Sequence, residues 1–349
     1  MRDIHKRLSL YQPSQIDGLP LNLNTCRLEP HPVLKRLSEI VEELNLSNYP
    51  DHDCQMLRQA LAKHYQLEPD WFLIGNGSDE VFDLVFKTFL DPGDMAAYPG
   101  PSYVMYSHYA LANGADALEV PLDDQFNLQP LSLLNTNAKL LVICNPNNPT
   151  GNLLNNADVE AVVRSGRLVI VDEAYAEFCG SNWLSQAQNF PNLLVVRTFS
   201  KVYGLAGLRV GYVTANPALI EMIHRVRLPF NVNVISQAMA ITAIEEQDFV
   251  KRHLEMINGE RPRWQELLTK RGFKVWPSQT NFLLAEVPDG IDRDLLAEQL
   301  EQNGALLQTP KHKRLTSCLR VTVGTAQDRI DFERILDNVL PGLCTSESF

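Results

Sequence analysis

Leu168-Val169-Ile170-Val171-Asp172-Glu173-Ala174-Tyr175 decides the fold. Four apolar residues without alternation read as a strand buried on both faces, and the run stops on a carboxylate. The same texture recurs on either side. Residues 71–74, 95–98, 117–120, 140–144, 193–196 and 209–213 are short apolar runs separated by helical stretches. Alternation at this spacing predicts a mostly parallel, seven-stranded sheet covered by helices on both faces, an α/β fold. In such sheets the ligand crevice lies at the carboxyl ends of the strands. Asp172 falls at one such end, and Asn145 at another.

The remaining chain organises around that core. Residues 32–45 and 55–64 have helical spacing, and residues 217–260 read as helical, with a long helix from 234 past 254. Residues 1–30 carry Pro13, Gly18 and Pro20 and read as an arm rather than a packed element. After Gly272 the pattern becomes α+β, with strands at 273–276, 281–286 and 319–323 and helices at 291–303 and 326–339. The expected domains are an arm with part of the small domain (1–45), a large domain (46–250) and a small C-terminal domain (251–349).

Composition narrows the classes. The 349 residues are 45% hydrophobic and 21% charged, as in a globular chain of two domains. A formal net charge of -11 argues against nucleic acid or an anionic membrane as partner. Anionic ligands then need local cationic pockets. Six scattered cysteines, without C-x-x-C or paired histidines, read as reduced cytoplasmic thiols and not as a metal site. The opening Met1-Arg2-Asp3-Ile4-His5-Lys6-Arg7 leads into no apolar stretch, so no signal peptide is expected, and no run of 18 apolar residues predicts a membrane span.

Each motif has a plain reading beside a chemical one. Gly75-Asn76-Gly77-Ser78-Asp79-Glu80 leaves a strand and opens a helix at 81–89. It is either a turn with Ser78 or Asp79 as N-cap or an anion cradle of free N–H groups. Tyr103, in Tyr98-Pro99-Gly100-Pro101-Ser102-Tyr103, is either core or a platform for a flat ring. Asn145-Pro146-Asn147-Asn148-Pro149-Thr150-Gly151 is a rigid turn at a strand end that aims an asparagine at the crevice. Asp172 is either an N-cap or a carboxylate awaiting a cation, because an unpaired charge there is costly. Arg320, in Leu319-Arg320-Val321-Thr322-Val323-Gly324-Thr325, is an internal salt bridge, an edge-strand cation or an anion fork.

Lys201 closes Arg197-Thr198-Phe199-Ser200-Lys201, and Arg209 closes Leu205-Ala206-Gly207-Leu208-Arg209. A lone lysine is usually a solvated surface group. An amine just past a strand, a carboxylate at a strand end and a guanidinium beside small hydroxyls together suit pyridoxal phosphate. The lysine makes the Schiff base, the carboxylate keeps the pyridine nitrogen protonated, and the arginine and hydroxyls hold the phosphate.

Taken in order, these motifs resemble the fold-type I pyridoxal-phosphate aminotransferases, and most closely their histidinol-phosphate aminotransferase branch, over roughly residues 46–340. The resemblance implies that Lys201 carries the cofactor and moves the substrate proton. It pairs Asp172 with the ring nitrogen and places Asn148 and Tyr175 on the ring oxygen and Tyr103 on the ring. Ser78, Asp79, Thr198, Ser200 and Arg209 then hold the phosphate. Tyr49 reaches the phosphate of a neighbouring subunit, which implies a homodimer, and Arg320 grips the acidic group of the substrate. Two places depart from the branch. Asn24-Thr25-Cys26-Arg27 stands where Asn-Glu-Asn-Pro is usual, and Gln308 stands where a second arginine is usual, with Lys311, Lys313 and Arg314 as nearby substitutes. An aminotransferase for aromatic or other amino acids, a threonine-phosphate decarboxylase-like lyase, and a non-catalytic regulator are the rival readings.

Overall fold

The computed structural model describes residues 17–28 and 31–343. The readings made of Met1–Arg7, Pro13 and Cys344 lie outside them. Strand β1 (Leu19–Pro20) is followed by helices α1 (Leu37–Glu42) and α2 (Gln55–Tyr65). The large sheet then begins. Its strands are β2 (Phe72–Asn76), β3 (Met95–Gly100), β4 (Asp116–Pro121), β5 (Leu140–Cys144), β6 (Leu168–Asp172), β7 (Leu193–Thr198) and β8 (Val210–Ala215). Helices α3 (Gly77–Phe89), α4 (Met105–Ala112), α5 (Pro130–Leu134) and α6 (Asn156–Val163) lie between them.

The seven strands lie in the order β2-β8-β7-β6-β5-β3-β4. Strand β8 runs antiparallel to both neighbours, and the other pairs are parallel. Alternate residues of the apolar runs enter two separate cores. Leu141, Ile143, Val169, Val171, Leu193 and Val195 face one; Leu140, Val142, Ile170, Leu194 and Val196 face the other. This two-sided burial is why these strands lack polar alternation. The edge strand β4 is the exception, with alternate residues exposed.

Helices α7 (Pro217–His224), α8 (Val234–Glu245) and α9 (Gln247–Thr269) follow. The single long helix expected from 234 past 254 is in fact two. Glu246 leaves the helical region at ψ 55°, with no glycine or proline to mark the break. Helix α9 runs through residue 250 into the C-terminal part. There, β9 (Lys274–Val275), β10 (Phe282–Glu286) and β12 (Cys318–Thr322) form an antiparallel sheet in the order β12-β10-β9. Helices α10 (Arg293–Gln302) and α11 (Ala326–Val339) flank it, and β11 (Ala305–Leu306) pairs in parallel with β1.

That last pairing corrects the reading of residues 1–30 as an unpacked arm. Within the described residues 17–28, Leu21 is fully buried, Asn24 is 1% exposed, and the Leu19 amide donates to the Gly304 carbonyl at 2.7 Å. Short, irregular strands carry too little periodicity to be read from sequence.

Register fixes the site. Cys144 pairs with Asp172, so β5 and β6 end level, and Asp172 pairs with Val196, two residues before the end of β7. A buried ion pair staples two of those ends. Arg197 Nη2 and Nε reach Glu173 Oε2 at 2.7 and 2.9 Å, and the Trp183 amide donates to Glu173 Oε1 at 2.6 Å. Glu173 is 0% and Arg197 5% exposed. Removing one member leaves the other charge buried and alone. Arg197→Met is therefore expected to cost about 3–5 kcal/mol, read as a lowered urea midpoint. Adding Glu173→Gln, which removes the stranded charge, is expected to recover part of that loss. An unchanged midpoint in the single variant contradicts the staple.

Candidate active site

The carboxyl ends of β5, β6 and β7 meet the start of α3 and the strand β12. Lys201 sits in the loop after β7. Its Nζ donates to the Leu23 carbonyl at 3.1 Å and lies 5.6 Å from the centre of the Tyr175 ring. Burial lowers its pKa from 10.5 to about 8, helped by Arg320 and Arg209 and opposed by Asp79 and Asp172. At that value roughly a tenth of the amine is uncharged at neutrality, far more than for an ordinary lysine, and that fraction can attack a carbonyl.

Asp172 ends β6 and is 4% exposed. Oδ2 accepts from the Tyr106 hydroxyl at 2.6 Å and Oδ1 from the Ala174 amide at 3.0 Å. Burial lifts its pKa to about 6, against those two hydrogen bonds. A carboxylate held in this way, without an ion pair among the described residues, has the environment a protonated ring nitrogen completes. Tyr175, three residues on, points its hydroxyl at Asn24, whose Nδ2 donates at 3.0 Å. Burial raises this phenol to about 12.

The turn after β5 divides its asparagines between structure and site. Asn145 Oδ1 accepts from the Leu154 amide at 2.8 Å. Asn147 bonds Ser102, the Pro101 carbonyl and Thr150. Asn148 alone turns toward the crevice, where its Oδ1 accepts from Arg320 Nη1 at 2.6 Å.

The start of α3 forms an open cup. Helix α3 carries no side-chain cap, so its first N–H groups face outward. Arg209 Nη2 meets Asp79 Oδ2 at 3.0 Å and lies over Gly77, which sits at φ +82°. A side chain at Gly77 would strike the guanidinium, and one at Gly211 would strike the Ser78 backbone. Thr198 Oγ1 and Ser200 Oγ stand 3.0 Å apart beside the cup. Open amides, two hydroxyls and a guanidinium are the donor set a phosphate dianion needs. Arg209 was expected within a strand; it instead precedes β8, in a left-handed conformation at φ 53°. Tyr103 borders the cup, its hydroxyl donating to Asp79 Oδ1 at 3.2 Å.

Arg320 lies on β12, 8% exposed. Besides Asn148, it donates from Nη2 to the Asn22 carbonyl at 2.5 Å. Gln308 is its cross-strand partner, with both backbone bonds made, at 3.1 and 2.8 Å. The neutral amide thus stands beside Arg320 on the ladder. Arg314 does not substitute for a second arginine, because it is committed to the Leu122 and Asp123 carbonyls at 2.6 and 2.7 Å. Lys311 and Lys313 are exposed. Tyr49 is not brought to this site: it is 82% exposed and stacks on Phe230 at 4.7 Å.

Sequence reasoning missed four groups. Tyr106 carries no signal beyond lying three residues past Tyr103. Asn24 sits at φ 54°, in a stretch read as a mere departure from the pattern. Two buried histidines hold the loop after Lys201. His31 Nε2 meets the Tyr203 carbonyl at 2.7 Å, and His253 Nδ1 meets the Val202 carbonyl at 2.8 Å. Burial lowers both imidazole pKa values, which favours the neutral rings as donors.

Comparison with known proteins agrees with this geometry. The family model for aminotransferase class I and II matches residues 16–337. The chain belongs to that family, whose members work with pyridoxal phosphate. It is 37% identical over 305 residues to a histidinol-phosphate aminotransferase of Thermoanaerobacter sp., covering 85% of this chain and 86% of the relative. It is 36% identical to one of Bacillus pumilus, covering 95% and 93%. Among solved structures, histidinol-phosphate aminotransferase of Sinorhizobium meliloti in complex with pyridoxal-5'-phosphate superposes with a TM-score of 0.88 at 25% identity, over 99% and 98% of the two chains.

The Lys201 environment sets a pH dependence. Because the pKa is lowered, the reactive free amine grows as pH rises through about 8 and not through 10.5. Capture of pyridoxal phosphate by cofactor-free protein, followed by stopped-flow absorbance, is expected to accelerate with a midpoint near about pH 8. Arg320→Gln removes the second-largest lowering influence, so its midpoint is expected to move upward. A midpoint near 10.5 in the unaltered protein contradicts this account.

Proposed function

We propose that this protein is a histidinol-phosphate aminotransferase. It exchanges the amino group of histidinol phosphate with 2-oxoglutarate, giving imidazole-acetol phosphate and glutamate. The extent of the similarity to proteins of that name, 37% identity over 85% of the chain, supports this substrate. The observation that carries the chemistry is the placement of Lys201 and Asp172 at adjacent strand ends, one amine lowered and one acid buried.

When bound, pyridoxal phosphate supplies an aldehyde and an electron sink for the substrate α-carbon. The residues do the rest. Lys201 Nζ holds the aldehyde and then carries the proton taken from the substrate carbon. Asp172 pairs with the ring nitrogen and keeps it charged. Asn148 and Tyr175 hold the ring oxygen, and Tyr103 covers the ring face. The α3 amides at Ser78 and Asp79, with Thr198, Ser200 and Arg209, hold the phosphate. Arg320 grips the acidic end of the substrate.

A second reading has one observation in its favour. Gln308 beside Arg320 leaves a single guanidinium there, which suits an amino-acid carboxylate as donor. We also infer a homodimer. Tyr49 (82% exposed), Leu228 (73%), Met56 (68%) and Leu46 (62%) are large apolar side chains left in solvent. A partner subunit that covers the exposed Tyr49 and Phe230, stacked at 4.7 Å, brings Tyr49 to the partner's phosphate cup. A biosynthetic, cytoplasmic enzyme fits the scattered reduced cysteines.

Cofactor-loaded protein mixed with histidinol phosphate is expected to lose its 'aldehyde-form' absorbance within one turnover, and 2-oxoglutarate to restore it. Lys201→Ala is expected to lower steady-state turnover by at least about a thousandfold. Asp172→Asn is expected to bind pyridoxal phosphate still, at raised cofactor concentration, and when loaded to lose most of its rate. Conversion by aromatic amino acids but not by histidinol phosphate selects the second reading. Release of carbon dioxide from threonine phosphate without 2-oxoglutarate makes the protein a lyase. Full turnover in Lys201→Ala contradicts the mechanism.

A further inference from the structure

The acid that faces the cofactor ring is itself held by a group the mechanism above leaves unused. Tyr106, in the first turn of α4, has no solvent exposure. Its hydroxyl donates to Asp172 Oδ2 at 2.6 Å. Phe82, Tyr98 and Tyr103 pack on its ring, with centroids at 5.4, 5.7 and 5.6 Å. Three aromatic walls leave the phenol no room to swing away, so the bond is fixed by packing.

We propose that Tyr106 is a positioning residue whose hydroxyl keeps the Asp172 carboxylate ionised and aimed at the cofactor's ring nitrogen. The proposal rests on the cofactor reading and adds a residue to it. Competing influences act on this single carboxylate. Burial opposes its charge most strongly. The Tyr106 hydrogen bond is the largest influence in favour, ahead of the Ala174 amide. The other groups facing it are Asp79 from α3, which opposes ionisation, and Lys201 from the loop after β7, which favours it weakly. The Cys144 thiol from β5 and the Tyr103 and Tyr175 phenols stand nearby and are neutral at physiological pH. Without the Tyr106 donor, the acid keeps one directed hydrogen bond in a water-poor site. It then takes up a proton at higher pH, and a neutral acid does not pair with a ring cation.

The test is Tyr106→Phe in the cofactor-loaded enzyme, which removes one oxygen and keeps the ring. Pyridoxal phosphate affinity is expected to fall roughly tenfold or more, the worth of a hydrogen bond to a charged group. The acidic limb of the kcat profile reports Asp172 and is expected to move to higher pH, because the variant raises the pKa of that acid. KM for the amino donor, which Tyr106 does not touch, is expected to stay within about twofold. In an Asp172→Asn background the same substitution is expected to add nothing, since its target charge is gone. Tyr98→Phe removes a hydroxyl from the same aromatic stack without touching Asp172 and is expected to leave affinity and limb in place. Where Tyr106→Phe folds poorly, 3-fluorotyrosine at position 106 serves instead. Its more acidic hydroxyl is a stronger donor and is expected to move the limb to lower pH.

Wild-type cofactor affinity and an unmoved limb in Tyr106→Phe overturn this proposal alone. So does an equal loss in Tyr106→Phe and Tyr98→Phe, which makes the stack merely structural. Unaltered protein that takes up no pyridoxal phosphate overturns the cofactor reading, and this proposal with it.

Discussion

An acid buried at the end of β6, with two hydrogen bonds and no ion pair among the described residues, is the constraint around which the site is arranged. Such a group is tolerated only where something else completes it, because desolvation penalises the charged form. Here the neighbouring strand ends contribute. The register of β5, β6 and β7, with β7 two residues longer, brings Asn148, Asp172 and Lys201 to one rim. The Arg197–Glu173 pair fastens β7 to the segment that follows β6, on the residue next to Asp172. The fold thus fixes the distance between the acid and the amine before any ligand arrives, which is the preorganisation that cofactor chemistry uses.

The second feature is the N-terminal segment. Three consecutive residues each touch a different member of the site. The Asn22 carbonyl accepts from Arg320, the Leu23 carbonyl from Lys201, and the Asn24 side-chain Nδ2 donates to the Tyr175 hydroxyl. Asn24 is tied in turn to the C-terminal part, through its amide to Thr322 Oγ1 at 3.0 Å and its carbonyl from Asn281 Nδ2 at 3.0 Å. A peptide strap of this kind links Arg320, proposed to grip the substrate, to Lys201, proposed to hold the cofactor.

Much of this was legible in the sequence. The apolar runs gave the central strands because burial on both faces leaves no polar alternation, and the carboxyl-end rule then put Asp172 and Asn145 at the crevice. The break at Glu246 was not legible, since a helix can change direction without glycine or proline when tertiary packing requires it. The packing of residues 17–28 was hidden for a related reason: two-residue strands have no period. Tyr106, His31 and His253 were invisible because each acts across a large sequence separation, on a carboxylate or a carbonyl that no local pattern connects to it. Arg314 looked available as a cation by its type and nearness to Gln308, but its fork is already taken by two carbonyls.

The central claim is that one particular amine faces the buried acid across a cofactor ring. Borohydride reduction of the cofactor-loaded protein, followed by proteolysis and mass spectrometry of the labelled peptide, tests it most directly. The account predicts a pyridoxyl group on Lys201, in the peptide containing Thr198 and Ser200, at one group per chain. A label on any other lysine, or none, contradicts it.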